Sequence, residues 1–112
     1  MTMDRIRTMA QLDTLKAKHS MVLVYFSTEG CGVCKSLLPR LTELLLKYPD
    51  IRAVKADLSD APELSASFSI FTVPAVILFV MGKETLREAG FISLAEIARQ
   101  IAKYNTLLNS RL

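Results

Sequence analysis

The sequence predicts an α/β fold in which helices cover both faces of a central mixed β-sheet of four to five strands. Two unbroken apolar runs, 21–26 and 75–81, are rich in β-branched and aromatic residues and are typical of buried strands. A long helical pattern follows the first run and leads into a strand pattern at 51–57. Because a βαβ crossover is right-handed and joins parallel strands, the strands at 21–27 and 51–57 should lie parallel.

The first half of the chain contains clear start and stop signals. Thr8-Met9-Ala10-Gln11 fits a capping box and predicts a helix that ends near His19, while residues 3–7 are a weaker candidate for a short edge strand. The next helix should run from about Cys31 to Lys47 with Pro39 kinking its middle. Apolar residues recur every three or four positions along it: Val33, Leu37, Leu41, Leu44, Leu45 and Tyr48.

The second half predicts a short helix, a hairpin and a final helix. Asp60-Ala61-Pro62-Glu63 resembles a helix cap and first turn, and Asp57 reads as a loop or cap residue nearby. Met81-Gly82-Lys83 suits a tight turn into an edge strand at 84–89. Ser93-Leu94-Ala95-Glu96 fits a second capping box. The buried stripe of the last helix comprises Leu94, Ile97, Ile101, Tyr104 and Leu108.

The length of 112 residues favours one domain spanning residues 1–112. The net charge is only +3 and no run of five Lys or Arg residues occurs, so a nucleic-acid surface is not supported. Residues 1–13 lack the apolar core of a secretory signal, and the apolar run 70–81 is too short to span a bilayer. We therefore expect a cytoplasmic protein with no membrane partner.

The only two cysteines, Cys31 and Cys34, lie where the first buried strand turns into the long helix. Unpaired N–H groups and the helix dipole at this position stabilise an anion, so the pKa of the Cys31 thiol should fall below its ordinary value of about 8.5. Cys34 lies three residues on, on the same helix face and pointing back toward the protein. The spacing predicts one presented sulfur and one sheltered sulfur that close a reversible disulfide.

A redox role fits this pair better than a structural one. Closing so short a loop contributes only roughly 2 kcal/mol to stability. A reducing cytosol also favours catalytic over structural cysteines. Zinc would need further ligands, and His19 is the only histidine. Two small core residues that happen to be close remain the plain alternative, which flanking glycines argue against.

The sequence resembles the thioredoxin family over nearly its whole length. The features that carry the similarity are Cys31-Gly32-Val33-Cys34-Lys35, Pro39 five residues after the second cysteine, Lys55 in the next strand, Val73-Pro74 before the strand at 75–81, and Gly82 and Gly90 flanking the hairpin. The resemblance implies a thioredoxin fold and a CGVC variant of the family's active site.

The resemblance also implies roles. Cys31 would be the attacking nucleophile and Cys34 the resolving cysteine, with Pro74 as the family's cis proline. The backbone of Val73 would pair with the substrate chain. Residues that would complete the substrate surface are Gly30, Gly32, Val33 and Gly90. A monomer with no bound cofactor or metal would reduce disulfides in proteins and receive electrons from NADPH through a thioredoxin-reductase-like flavoprotein.

Three departures from the family pattern affect the site. Gly30 replaces the usual tryptophan, and Val33 replaces the proline between the cysteines. Tyr25 replaces a buried aspartate that takes the proton of the resolving thiol, and a phenol is a poor base at neutral pH. Water, Lys55 or Glu29 would then accept that proton, or resolution would be slower.

Other assignments remain open. Phe71 is a candidate for the apolar contact that the missing tryptophan would supply, and Lys35 is a candidate for tuning the thiolate. Two alternatives to a disulfide reductase are a thioredoxin-fold adaptor with idle cysteines and a more oxidising disulfide oxidase or isomerase. The lack of a histidine between the cysteines argues against the last of these.

Overall fold

The computed structural model describes residues 3–109, and the first two and last three positions of the predicted domain lie outside them. The elements in chain order are β1 (Asp4–Arg5), α1 (Met9–Lys18), β2 (Met21–Ser27), α2 (Gly32–Leu45), β3 (Arg52–Asp57), α3 (Pro62–Ser67), β4 (Ala75–Val80), β5 (Lys83–Ala89) and α4 (Leu94–Asn109). The mixed sheet and its surrounding helices confirm the predicted fold class.

The sheet has five strands in the order β1-β3-β2-β4-β5. Strands β1, β3 and β2 are parallel, whereas β4 is antiparallel to both β2 and β5. The crossover from β2 through α2 to β3 therefore has the predicted parallel geometry. Strand β1 is shorter than the edge strand predicted for residues 3–7.

Two apolar cores lie on opposite faces of the sheet. Alternate residues of β2 point to opposite faces: Leu23 and Tyr25 pack toward α2 and α4, and Val22 and Val24 pack toward α1 and α3. The α2 side of the first core is Leu37, Leu41 and Leu45, and the α4 side is Ile97 and Ile101. These are the helical stripes that the sequence predicts, with one exception.

The exception is Val33, which is 64% exposed instead of buried. It lies in the first turn of α2 and is not part of the apolar core between α2 and the sheet. Pro39 lies inside α2 as predicted. Helix α2 begins one residue after Cys31, which is its N-cap.

Two of the three predicted caps differ in detail. The capping box of Thr8 and Gln11 is formed in full. Helix α3 instead begins after Ala61 with no side-chain cap, because Asp60 accepts hydrogen bonds from Arg5 and Arg7 at 3.1 and 3.2 Å.

The cap of α4 is shared between two elements. Ser93 Oγ accepts from the Glu96 N–H at 3.1 Å, but the Ser93 N–H donates to Glu88 at the end of β5. The carboxylate of Glu96 binds Arg99 and Gln100 instead. The serine is therefore the predicted N-cap, while the reciprocal half of the box is supplied by the neighbouring strand.

Candidate functional site

Strand register brings three loops to one edge of the sheet. Phe26 near the end of β2 pairs with Ala75 at the start of β4, and Ala75 pairs with Ala89 at the end of β5. The loop that leads to Cys31, the segment 71–74 and the segment 90–91 therefore leave the sheet side by side. All the residues that the resemblance assigns to substrate binding lie in or next to these loops.

Cys31 and Cys34 form a disulfide with their Cα atoms 5.3 Å apart. Cys34 is only 3% exposed and belongs to the core between the sheet and α2, whereas Cys31 is partly exposed. One sulfur is presented and the other sheltered, as the spacing predicts.

The start of α2 is built to stabilise negative charge on the outer sulfur. Cys31 is the N-cap residue, and its Sγ accepts a hydrogen bond from the Cys34 N–H at 3.1 Å. No acidic residue lies in the first turn of α2 to oppose a thiolate. After reduction, the same N–H and the helix dipole would favour the anion at Cys31.

Tyr25 is fully buried beneath the disulfide and is bound to its backbone. Its hydroxyl donates to the Cys34 carbonyl oxygen at 2.7 Å, which joins the centre of β2 to the first turn of α2. Burial raises the pKa of Tyr25 to about 12. The phenol therefore stays protonated at neutral pH and acts as a hydrogen-bond donor, not as a base.

A cleft of about 170 Å³ borders Cys34. Its lining includes Tyr25, Glu29, Lys55 and Asp57. Lys55 pairs with Tyr25 across the β2–β3 ladder, is half-buried and lines this cleft together with Cys34. Both sequence-proposed alternatives to the missing aspartate, Lys55 and Glu29, thus lie at this cleft.

Asp57 is a site residue that the sequence analysis assigned to a loop or cap. It is only 7% exposed and lies at the end of β3, two residues after Lys55 and therefore on the same face of the sheet. Hydrogen bonds from the Ser59 hydroxyl and N–H hold the pKa of the Asp57 carboxyl below its usual range. The two-residue spacing from Lys55 was the signal that could have placed it here.

Pro74 and Gly90, two of the predicted substrate-binding residues, are joined by a backbone hydrogen bond. The Val73–Pro74 peptide bond is cis, as the resemblance implies, and Pro74 is buried. The Pro74 carbonyl oxygen accepts from the Gly90 N–H at 2.8 Å. Gly90 has a φ of +80°, which favours glycine, and a Cβ there would make a tight contact of 3.3 Å with Thr72 Cγ2.

The remaining predicted residues are open to solvent. Gly30 has a φ of +81°, and neither it nor Gly32 has a neighbour within 4 Å of where a Cβ would lie. Val33 and Lys35 are both exposed at the start of α2. Gly30 and Val33, which replace the tryptophan and the proline of the family motif, therefore present exposed backbone and one exposed aliphatic side chain.

Residues 3–109 contain no cluster of three His, Cys, Asp or Glu side chains that could hold a metal ion. No helix within this range is long and apolar enough to cross a membrane. The positive chemical feature of the site is the Cys31–Cys34 disulfide, which is typical of proteins that exchange a dithiol for a disulfide.

Comparison with known proteins identifies the family. The Thioredoxin family profile matches residues 6–103. A thioredoxin of Mycoplasmoides gallisepticum is 36% identical over 95 residues, covering 85% of this chain and 95% of that protein. Thioredoxin-like protein YdfQ of Bacillus subtilis is 31% identical over 101 residues and covers 90% of each chain.

Solved structures agree on the fold. Oxidised mitochondrial thioredoxin 3 of Saccharomyces cerevisiae superposes with a TM-score of 0.83 at 23% identity, covering 90% of this chain and 94% of that one. The chain belongs to the thioredoxin family. With its C-x-x-C disulfide pair, it is a thiol-disulfide oxidoreductase, and members of the family need no bound cofactor.

The pH dependence of stability tests the burial of Tyr25, using Tyr25→Phe for comparison. The pKa of this phenol is 10.0 in the unfolded chain and about 12 in the folded protein, so the protonated form favours folding. Its contribution is complete below pH 10 and is lost as the pH rises through 12, in total about 2–3 kcal/mol. We expect the free energy of unfolding in urea to fall more steeply with pH for the wild type than for the variant over this window. Parallel pH curves would contradict the prediction.

Proposed function

We propose that this protein reduces disulfides in other proteins through a Cys31–Cys34 dithiol cycle. The observation that carries the proposal is the asymmetry of the pair: Cys31 is partly exposed at a helix N-terminus, and Cys34 is buried. An exposed, stabilised thiolate is the attacking group, and a sheltered neighbour reacts only within the molecule.

The cycle has two exchange steps. The Cys31 thiolate attacks one sulfur of a substrate disulfide, forms a mixed disulfide and releases the first substrate thiolate. Cys34 loses its proton and attacks Cys31 Sγ, which closes the Cys31–Cys34 disulfide and releases the second substrate thiolate. Two electrons pass from the protein dithiol to the substrate, and each released thiolate takes up a proton from water.

In this proposal the substrate docks at the loop edge, which is the edge of the sheet where the loop to Cys31, segment 71–74 and segment 90–91 lie side by side. The backbone of Val73 pairs with an extended substrate segment, and Pro74 packs beside the disulfide. The open backbone at Gly30 and Gly32, with Val33 and Gly90, forms the surrounding surface. Support for this docking mode comes from the Val73 N–H and C=O, neither of which is hydrogen-bonded within residues 3–109.

Electron supply and setting complete the proposal. A thioredoxin-reductase-like flavoprotein that draws on NADPH would reduce the Cys31–Cys34 disulfide. The chain would act as a single domain and a monomer in the cytoplasm, where thiols are kept reduced. Family membership supports a reductase partner. A similar solved structure concerns the thiol-resolving mechanism of a yeast mitochondrial 1-Cys peroxiredoxin via glutathione and thioredoxin systems.

The redox equilibrium of the cysteine pair tests the direction of the reaction. The protein is equilibrated in graded mixtures of reduced and oxidised dithiol, free thiols are trapped with a mass tag, and tags per molecule are counted. We expect one two-thiol transition near the thioredoxin value of about −270 mV. A midpoint near the isomerase value of about −180 mV would instead indicate disulfide formation or shuffling. Absence of a reversible transition would overturn the proposal.

A further inference from the structure

Two phenylalanines stand almost fully in solvent at the loop edge. Phe71 and Phe91 are each 84% exposed, more than the other large apolar side chains exposed on the described part of the chain. Phenylalanine is usually buried, and its ring carries a large apolar surface. Neither ring contributes to the two cores of the domain, so folding does not explain them.

Both rings flank the same short stretch of backbone. Gly90 donates to the Pro74 carbonyl and approaches Thr72, so segments 71–74 and 90–91 run side by side. Phe71 follows the buried Ile70, and Phe91 follows Gly90. The rings therefore lie at the margins of the surface that contains Val73.

The unpaired backbone at Val73 fixes what kind of occupant fits between them. The N–H and C=O of Val73 are both free to form hydrogen bonds, as they would with the backbone of an added strand. They therefore favour an extended polypeptide over a small molecule. Only Thr72 separates Phe71 from Val73, and two residues of a bound extended segment span about 6.6 Å. A segment paired at Val73 would therefore bring a side chain about two residues from its reactive cysteine beside Phe71.

We propose that Phe71 and Phe91 make this protein selective for disulfides in extended segments with a bulky apolar side chain within two residues of the attacked cysteine. The inference rests on the proposed function, because it concerns the substrate of the same disulfide. Contact with either ring removes apolar surface from water, which a serine or glycine at that position of the substrate cannot do. The two rings would supply apolar contact at a site that lacks the tryptophan of the family motif.

Symmetric peptide disulfides give a clean test. Two peptides of equal length and charge each contain one cysteine and are linked as homodimers, so that both sulfurs are equivalent. One peptide has leucine at the positions two residues before and after the cysteine, and the other has serine. Fully reduced protein is mixed with excess peptide dimer, and loss of protein thiols is followed by quenching and mass tagging. Each rate is divided by the rate at which dithiothreitol reduces the same peptide, which corrects for differences in the intrinsic reactivity of the two peptide disulfides.

We expect the wild type to prefer the leucine peptide by about tenfold, equivalent to about 1.4 kcal/mol. The double variant Phe71→Ser, Phe91→Ser should reduce that ratio to between one and two. Leu46→Ser is the matched control, because Leu46 is 60% exposed at the opposite end of α2, and it should keep the wild-type ratio. Circular dichroism checks folding, and Phe91→Ser alone replaces the double variant if the latter does not fold.

Failures of the two proposals look different. Equal rates for both peptides in the wild type, or a preference that survives the double variant, would overturn the selectivity and leave the reductase function intact. No reaction with either peptide or with hydroxyethyl disulfide would overturn the proposed function itself. Sedimentation identifies the other possible occupant: a wild-type dimer that the double variant converts to a monomer would make this patch a contact between two copies and overturn the inference.

Discussion

Replacing Cys31 by serine is expected to abolish disulfide reduction, with turnover lower by about a thousandfold or more. A serine hydroxyl is not ionised at neutral pH and does not attack a disulfide sulfur. The N–H of Cys34 that bonds Cys31 Sγ at 3.1 Å would remain, but no thiolate would be present for it to stabilise. Cys34 cannot substitute, because it is only 3% exposed.

Cys34→Ser is the matched variant for this experiment. It keeps the nucleophile and removes the resolving group, so a mixed disulfide between Cys31 and the substrate should accumulate. Mass spectrometry of the protein after exposure to a peptide disulfide detects the adduct. Reduction by Cys31→Ser at the wild-type rate would contradict the assignment of Cys31 as the nucleophile. A wild-type protein that reduces no disulfide would instead favour the adaptor alternative, in which the cysteines are idle.

Tyr25→Asp is expected to accelerate the resolving step by about tenfold or more, at a cost in stability. An aspartate beneath Cys34 would accept the proton of the resolving thiol, and such general bases typically contribute at least two orders of magnitude. Tyr25 itself cannot, because burial raises its pKa to about 12. Loss of the buried ring and of its hydrogen bond to Cys34 should lower the free energy of unfolding by about 2–4 kcal/mol.

A chromogenic aromatic disulfide separates the two steps of this experiment. Attack by Cys31 releases the first coloured thiolate, and attack by Cys34 releases the second. The second phase should be faster in Tyr25→Asp, whereas Tyr25→Phe should match the wild type in this phase because it removes no base. An unchanged or slower second phase in Tyr25→Asp would mean that another group at the cleft, such as Glu29, already handles the proton.

Local patterns in the sequence predicted most elements because local interactions determine them. Strand β2 occupies Met21–Ser27 as its apolar run indicates, and the capping box of Thr8 and Gln11 is formed. The sheltered Cys34 and exposed Cys31 follow from a spacing of three on one helix. Each of these predictions depends only on residues that lie within a few positions of each other in the chain.

Predictions failed where distant residues decide the outcome. Asp60 does not cap α3, because arginines from the N-terminal segment bind its carboxylate. Val33 fits a helical stripe but is exposed in the first turn of α2, outside the apolar core. Phe91 reaches the edge that holds the disulfide only because strand register carries the end of β5 there. Such pairings join residues far apart in the chain, and no short pattern encodes them.

The hydrogen bond between Tyr25 and Cys34 also has an optical consequence. The chain has three tyrosines and no tryptophan, so phenols dominate its near-ultraviolet emission. One of these phenols is bound to the backbone of a disulfide cysteine at 2.7 Å, and disulfides quench nearby excited aromatic rings. Opening the disulfide should brighten Tyr25, which allows the redox state to be followed in real time without any attached dye.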